Sequence, residues 1–191
     1  MRHRTRARAA TDGPAFLAGQ RVRLRPLALR DANGVYLAWL NDPEVRRYLT
    51  TGSFPVTLKA LRRYVTERIN RPDILFLAIC DRRSGRHVGN IKLEPINWIY
   101  RTATLGLMIG DRRAWGRGYA TEAIRLVVRH SFDRLNLRKV SAGLIASHVG
   151  SLRAFRKAGF VVEARHRGEV VIDGRPVDTY RLAIFREGRR G

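Results

Sequence analysis

A glycine-containing segment near the middle of the chain has the clearest chemical character. The run Met108–Ile124 reads MIGDRRAWGRGYATEAI, which is typical of a strand end, a tight loop and the start of a helix at about Tyr119. Gly116 and Gly118 lack a Cβ, so the backbone can turn sharply and a ligand can approach its N–H groups. The helix N-terminus adds unpaired N–H groups and a partial positive charge. The guanidinium groups beside this loop belong to Arg112, Arg113 and Arg117. Together these groups predict a phosphate-binding site.

Two common nucleotide-binding patterns do not fit this loop. A P-loop has Lys-Ser or Lys-Thr after its second glycine, whereas Tyr119 and Ala120 follow Gly118 here. A dinucleotide fingerprint needs a third Gly or Ala where Thr121 stands, and no acidic residue follows at the required distance. The phosphate ligand must therefore be of another kind.

The loop does match the pattern Arg-x-x-Gly-x-Gly at Arg113, Gly116 and Gly118, inside the longer run WGRGYATEA. This combination resembles the acetyl-CoA pyrophosphate loop of the GNAT family of N-acetyltransferases. The resemblance is to the branch that contains ribosomal-protein, spermidine and amino-sugar N-acetyltransferases. A second segment, LNLRKV at 135–140 followed by GSLRAFRKAGF at 150–160, is similar to the last motif of this family. The likeness extends from about Arg21 to Phe185.

The resemblance implies an acetyl-CoA site made mainly of backbone. Groups of the strand before the loop would pair with the pantetheine arm, and the loop amides would hold the pyrophosphate. The helix of the last motif would pack beside the thiol arm. The cofactor-binding residues predicted in this way are Met108, Ile109, Arg113, Trp115, Gly116, Arg117, Gly118, Tyr119, Ala120 and Phe155.

The groups that would move protons depart from the pattern of the family. Many members have a Glu on the strand before the loop, where Thr104 stands in this chain, and a Tyr on the last helix, where Phe155 stands. Glu94 is the nearest remaining carboxylate and could act directly or through water, with an exposed structural charge as the alternative. Ser151 could donate a proton to the sulfur. His148 could take part in proton transfer or keep a polar contact with the cofactor, or it could be a solvated loop residue.

The acceptor side is predicted from the run WLNDPEVRRYL, residues 39–49, which resembles the first helix–turn–helix of the family. In the family this unit forms one wall of the acceptor site, so we expect Trp39, Asn41 and Arg46 to bind substrate; a simple helix connection is the alternative. This run and GNIKLE at 89–94 look most like the members that acetylate small molecules and sugars. We therefore expect a primary amine of a small molecule or amino sugar. The alternatives are a protein N-terminus of the ribosomal-protein type, and a non-catalytic module that binds RNA or the ribosome.

The predicted element order is β-α-α-β-β-β-α-β-α-β-β, which indicates an α+β fold with a mixed, mostly antiparallel sheet flanked by helices. This order agrees with the GNAT fold. We expect a single N-acetyltransferase domain over residues 20–187. Residues 1–19 are basic and poor in apolar side chains, which predicts a disordered basic arm.

Composition limits the cellular setting. The net charge of +22 predicts attraction to anionic cofactors and weak contact of the arm with polyanions such as the ribosome, although the arginines are spread over the whole chain. No apolar run approaches the roughly 18 residues of a membrane span, and no apolar signal core follows the basic N-terminus. With a single cysteine, Cys80, these features predict a cytoplasmic protein without membrane contact. The scattered histidines predict no metal site. A homodimer is a further possibility that we consider.

Overall fold

The computed structural model describes residues 14–49 and 54–186, which form one eight-stranded sheet with helices on both faces. The strand order across the sheet is β1-β2-β3-β4-β5-β6-β8-β7. The strands are β1 Leu17–Ala18, β2 Val22–Pro26, β3 Leu75–Asp81, β4 His87–Asn97, β5 Thr102–Ile109, β6 Lys139–Ile145, β7 Val161–Ile172 and β8 Arg175–Phe185. The helices are α1 Gly34–Asn41, α2 Pro43–Arg46, α3 Leu58–Thr66, α4 Tyr119–Asp133 and α5 Val149–Lys157. The predicted α+β class with a mostly antiparallel sheet is confirmed.

Polar side chains set the starts of the three helices between β2 and β3. Asn33 caps α1, Asp42 caps α2 with Pro43 in its first turn, and Thr57 caps α3. Asp31 does not cap α1, because this carboxylate is buried in a preceding 3-10 turn and is bonded to a β2 side chain, Arg25. The predicted order has two helices between β2 and β3 where the structure has three, and it lacks the short strand β1.

The sheet separates two apolar cores. On one face, α4 and α5 contribute residues such as Ile124, Val127 and Phe155. On the other face, α1 and α3 contribute Trp39 and Val65, among others. Successive side chains of a strand point to opposite faces, so β3 and β5 supply both cores, whereas the apolar residues of β4 belong to the first core.

The sheet opens between its two parallel neighbours, β5 and β6. Their pairing consists of Thr102 with Lys139, Ala103 with Val140 and Thr104 with Ser141. Beyond Thr104 the two strands are no longer paired, although β5 continues to Ile109 and β6 to Ile145. One backbone edge of β5 is therefore left without a strand partner, and a cleft lies beside it.

The boundary predicted for the N-terminal arm needs correction. Leu17 pairs with Leu24 and Ala18 with Arg23, and the N–H of Phe16 donates to the carbonyl of Leu24 over 2.8 Å. Residues 14–19 therefore include an edge strand and are not a disordered arm. The remainder of the predicted arm, residues 1–13, lies outside the described residues.

Candidate active site

The glycine loop has the conformation that its sequence predicts. Gly116 and Gly118 have φ angles of 72° and 80°, in the left-handed region that favours glycine. Gly118 precedes the first turn of α4 and supplies no side-chain cap. Within the described chain, the backbone N–H groups from Gly116 to Thr121 donate to no protein oxygen. The loop and the helix start thus present a set of free donors with positive polarity to a ligand.

A carboxylate inside the loop, Asp111, holds its shape. It accepts hydrogen bonds from the backbone N–H of Arg113 (3.0 Å) and from Nε of the same residue (3.0 Å), and Arg86 Nη2 lies 3.1 Å away. Burial would raise the pKa of Asp111, but these cationic partners lower it overall. The Arg113 guanidinium is thus bonded to the loop itself and does not line the cleft, so its predicted phosphate contact stays a prediction.

Three further residues predicted to bind cofactor have distinct positions. Trp115 lines the cleft and donates its indole N–H to the carbonyl of Ile109 over 2.8 Å. Arg117 is exposed and faces a separate basic groove. Tyr119 donates its hydroxyl to Asp81 in β3, which secures the first residue of α4 to the sheet. Burial would raise the pKa of Asp81, but the hydrogen bonds from Tyr119 and Ser84 outweigh it and lower this pKa to about 2.

The backbone phase of β5 bears on one of the predicted contacts. Gly110 donates its N–H to the carbonyl of Val88 on the β4 side. Hydrogen-bonded pairs alternate along an antiparallel ladder, so Met108, opposite Asn90, also directs its backbone toward β4. The backbone groups of Leu107 and Ile109 face the open edge instead. Met108 borders the cleft, but its predicted backbone contact with the cofactor stays a prediction, and Leu107 was not among the predicted residues.

The cleft beside this edge has a volume of about 1330 Å³. One side is formed by β5 and the glycine loop, and the opposite side by β6 and the start of α5. The predicted residues that line it are Met108, Ile109, Trp115, Gly116, Gly118, Tyr119, Ala120, His148, Ser151 and Phe155. Loop, strand edge and last helix are therefore brought together at one site.

His148 closes one end of the cleft. Its imidazole stacks on the phenol ring of Tyr48, with ring centroids 4.3 Å apart and planes 9° from parallel. Burial lowers the pKa of His148 below its usual 6.5, because the charged imidazolium loses solvation. The ring is therefore neutral at pH 7 and can accept a proton.

Glu94 occupies a position that disfavours direct proton transfer. Its carboxylate accepts a hydrogen bond from Lys92, and Arg68 Nε lies 3.0 Å from its other oxygen. Lys92 and Arg68 line the cleft, but Glu94 does not. Burial would lower the pKa of Lys92, yet its bonds to Glu94 and Tyr64 raise it overall. The carboxylate is thus committed to two cations, and the expectation of a freely acting base is not supported.

The residues predicted to bind the acceptor support the wall from behind rather than lining it. Trp39 is 8% exposed and packs on Gly110, where an added Cβ would lie 2.2 Å from the indole ring. Asn41 joins α1 to the following loop, because its side chain donates to Val56 O (2.9 Å) and accepts from Val56 N (3.0 Å). Arg46 does not border the cleft. None of the three residues lines the cleft, so their positions do not support direct contact with the acceptor, which stays a prediction.

Other side chains from the same region form the wall. They come from α1, α3 and β4 and from the segments after α2 and α3, and all have polar atoms: Tyr36, Tyr48, Tyr64, Arg68, Asn90 and Lys92. The alternation of Asn90, Lys92 and Glu94 within an otherwise apolar strand was a usable signal, because residues two apart share one face of a sheet. The contributions from α1 and α3 had no comparable local signal.

A second groove of about 840 Å³ begins at the glycine loop and runs between the β1–β2 turn, α4 and α5. Its cationic lining residues are Arg21, Arg82, Arg117, Arg125, Arg129 and Lys157. The one carboxylate in its lining, Glu122, accepts the backbone N–H groups of Gln20, Arg21 and Val22 over 2.8, 2.7 and 2.8 Å. The remaining charge of the groove is positive and suits an anionic ligand.

The family model described as an acetyltransferase (GNAT) domain matches residues 21–161. The chain belongs to the GNAT acetyltransferase family. A probable N-acetyltransferase of Bacillus subtilis, YjcK, is 30% identical over 176 residues, which cover 89% of this chain and 97% of that protein. The spermidine N(1)-acetyltransferase of Escherichia coli K12 is 28% identical over 164 residues, or 86% of each chain. These relationships identify the GNAT protein described here as an acyltransferase.

Solved structures support the same fold. The spermidine N-acetyltransferase of Vibrio cholerae, determined with CoA and spermine, superposes with a TM-score of 0.78 at 23% identity, covering 87% of this chain and 96% of that one. A GNAT acetyltransferase of Bacillus anthracis gives a TM-score of 0.77 at 20% identity, covering 90% and 99%. At these identities the comparison establishes the architecture of the GNAT domain, and the acceptor must be argued from the site itself.

Among residues 14–49 and 54–186, no group of three or more His, Cys, Asp or Glu side chains is placed to hold a metal ion. In the same ranges, no helix combines the length and apolar character needed to cross a bilayer.

Proposed function

We propose that this GNAT protein transfers an acetyl group from acetyl-CoA to a primary amine of a small molecule. One observation carries the proposal. The open edge of β5 leads directly into a loop whose backbone N–H groups donate to no protein oxygen within the described chain. A pantetheine arm contains amide groups that can pair with a strand edge, and a pyrophosphate suits the N–H groups from Gly116 to Thr121. The thioester supplies an already activated acyl group.

The basic groove extends this donor site. Its lysine and arginine side chains border the same two glycines, Gly116 and Gly118, that border the cleft. We assign it the phosphorylated nucleoside end of acetyl-CoA, because that end carries the remaining anionic group of the ligand. Arg117 then contributes its charge to the groove rather than to the cleft.

His148 is the residue that we assign to deprotonating the amine. It lines the cleft, stacks on Tyr48 from the acceptor wall, and has a lowered pKa that leaves its ring neutral at pH 7. An attacking ammonium must lose a proton before its nitrogen becomes nucleophilic. Ser151 lies in the first turn of α5, just after His148, and also lines the cleft, which supports its role as proton donor to the leaving thiolate. Phe155 shields this end of the cleft from water by packing on Phe160.

A small acceptor fits the walls better than a long chain, because helices α1–α3 cover the acceptor end with side chains. Acetylation of protein N-termini, a cytoplasmic location, a homodimer and contact with the ribosome stay predictions. The residues of the predicted ribosome-binding arm, 1–13, lie outside the described chain.

Calorimetry with acetyl-CoA, followed by an assay of thiol release across a panel of amines, tests this function. We expect saturable acetyl-CoA binding and thiol release that depends on the added amine. Absence of acetyl-CoA binding at physiological salt would overturn the donor site. Binding with thiol release that no small amine accelerates would instead overturn the acceptor class.

A further inference from the structure

The acceptor wall contains a buried amide with spare donor capacity. Asn90 is 4% exposed and lines the cleft, and its Nδ2 makes no hydrogen bond of normal geometry in the described structure. Its amide interacts with the hydroxyl of Tyr36, but an amide nitrogen has two hydrogens and one hydroxyl can accept only one of them. A buried N–H left unpaired costs about 1–3 kcal/mol. Buried polar side chains are nearly always satisfied, so the remaining N–H at a cleft wall points to a ligand atom that accepts from it.

The orientation of the Asn90 amide is fixed by its neighbours. His87 Nε2 lies 2.9 Å from the carbonyl of Gly89 and 2.9 Å from the oxygen of Asn90. Because the Gly89 carbonyl can only accept, this ring nitrogen must carry the proton, and the Asn90 atom that faces it must be the oxygen. The two Nδ2 hydrogens are thereby directed away from His87.

The imidazole that fixes this amide is itself held in place. Burial lowers the pKa of His87 and keeps it neutral, although Asp31 Oδ1 is 4.0 Å from Nδ1. Asp31 in turn is paired with Arg25 at 2.7 Å in the interior. The Asn90 donor is therefore preorganised before any acceptor binds.

The groups around Asn90 also favour an oxygen ligand. Lys92 follows two residues later on the same face of β4, and Arg68 presents a guanidinium from the turn after α3. The hydroxyls of Tyr36 and Tyr64 complete this part of the wall. The carboxylate that compensates these cations, Glu94, lies behind the lining.

Two acidic residues do border the cleft, and both are exposed at its rim. Glu67 pairs with Arg68 at 3.7 Å and with Arg63 at 4.0 Å, and Glu44 lies on α2. The deep part of the wall thus contains N–H donors and cations, whereas carboxylates are confined to the mouth. An alkyl polyamine offers ammonium groups alone, so it cannot satisfy these donors.

We infer that the acceptor is a small amine carrying a carboxylate, whose oxygens bind Asn90 Nδ2 together with Lys92 and Arg68. The inference rests on the proposed function and specifies its substrate class. The inferred acceptor also differs from the polyamines that appear in the names of two relatives of this protein. Charge-assisted hydrogen bonds are the strongest of those available here, so the carboxylate sets the orientation of the amine toward the cleft.

Matched amines test this inference directly. Lysine and cadaverine share two amines and differ by one carboxylate, as do ornithine and putrescine. We expect kcat/KM to favour the carboxylated member of each pair by roughly tenfold or more, the size expected for hydrogen bonds to a charged group. A preference for the diamines, for spermidine or for glucosamine overturns the inference.

Asn90→Asp provides the decisive variant. It keeps the oxygen that His87 requires and replaces the donating Nδ2 by a second anionic oxygen. We expect the lysine-to-cadaverine ratio to fall at least tenfold. Asn97→Asp is the control, because it makes the same charge change at the exposed end of β4, outside the cleft lining. An unchanged ratio in Asn90→Asp, or equal changes in both variants, overturns the assignment.

The outcome can be separated from failure of the proposed function. If acetyl-CoA binds but no amine accelerates thiol release, calorimetry compares Nε-acetyllysine with N-acetylcadaverine on the CoA-bound protein. Tighter binding of Nε-acetyllysine, lost in Asn90→Asp, supports the carboxylate site even though the transfer proposal then fails. Tighter binding of N-acetylcadaverine, or no difference between the two, overturns the carboxylate site.

Discussion

The donor side and the acceptor wall of the cleft are built in different ways. The donor side consists mostly of backbone, with loop amides from Gly116 to Thr121 and the open edge of β5. The acceptor wall consists of side chains that come from α1, α3 and β4. A backbone site needs glycines and a strand–loop–helix order, whereas a side-chain site can change its ligand through a few substitutions. Donor identity is therefore encoded locally, and acceptor identity is not.

The largest expected effect comes from placing a charge in the donor loop. Gly116 and Gly174 have φ angles of 72° and 75°, and neither has an atom within 4 Å of an added Cβ. Asp tolerates the left-handed region better than most residues. We expect Gly116→Asp to weaken acetyl-CoA binding at least roughly a hundredfold in calorimetry, because like charges would meet. Gly174→Asp changes the net charge equally in the β7–β8 turn, outside the cleft lining, and a similar loss there would contradict the loop assignment.

A second test concerns the residue that joins the two sides. We expect His148→Asn to lower kcat roughly a hundredfold, the usual scale for general-base removal, while acetyl-CoA affinity is retained. The pKa of His148 lies below 6.5, so wild-type kcat should fall as the pH drops below that value and the ring gains a proton. The variant should lack this dependence.

His130 is the matched control for this test. Burial also lowers its pKa, and it lies outside the cleft. His130→Asn should keep both the rate and the acid limb of the profile. An acid limb that persists in His148→Asn would assign the proton transfer to another group.

Glu94 tests whether a charge of the acceptor wall is structural. We expect Glu94→Gln to lower the free energy of unfolding by about 1–3 kcal/mol, because it removes one partner of a partly buried ion cluster. Denaturant unfolding measures this change. Since the carboxylate does not line the cleft, kcat should stay within about threefold of wild type, on the scale of less than 1 kcal/mol. A drop in kcat as large as that of His148→Asn would restore Glu94 as the base.

The smallest expected effect lies under the donor loop. Tyr119→Phe removes the hydroxyl that donates to Asp81, which should cost about 1 kcal/mol of stability. The pKa of Asp81 is about 2 in the folded protein against a usual 3.8, so its contribution is full above pH 3.8 and is lost as the pH falls toward 2.

The difference in stability between wild type and Tyr119→Phe should therefore shrink over this acidic range. Urea unfolding at several pH values measures it. Tyr100→Phe, at an exposed turn, should show no such dependence. A constant difference between pH 7 and pH 2 would contradict the role given to the hydroxyl.

Local patterns were sufficient to predict most of the fold. The helical caps, the glycine loop and the strand periodicity depend on neighbouring residues, and α4 begins at Tyr119 as predicted. The short strand β1 was missed because two residues carry no periodicity, and its stability comes from pairing with β2.

In the site too, the position of a single residue depends on contacts between elements that local patterns do not predict. The sequence located the segment around Trp39, but whether a helical residue faces a cleft or the core depends on how the helix is rotated. Trp39 packs inward, and Tyr36, one turn earlier, reaches the cleft. The phase of the β5 backbone turns Leu107, and not Met108, toward the open edge of the strand. This phase likewise follows from pairing with β4 and is not encoded in β5 alone.

The contact between Trp39 and Gly110 has a thermodynamic consequence. The indole ring of α1 lies where a Cβ of Gly110 would stand, directly before the phosphate loop. Interiors are close-packed and transmit small displacements, so any shift of the loop on binding the donor would also move α1 and with it the wall for the acceptor. Such a shift would link the two ligands energetically through one pair of residues. By reciprocity, each would then change the affinity of the other by the same factor.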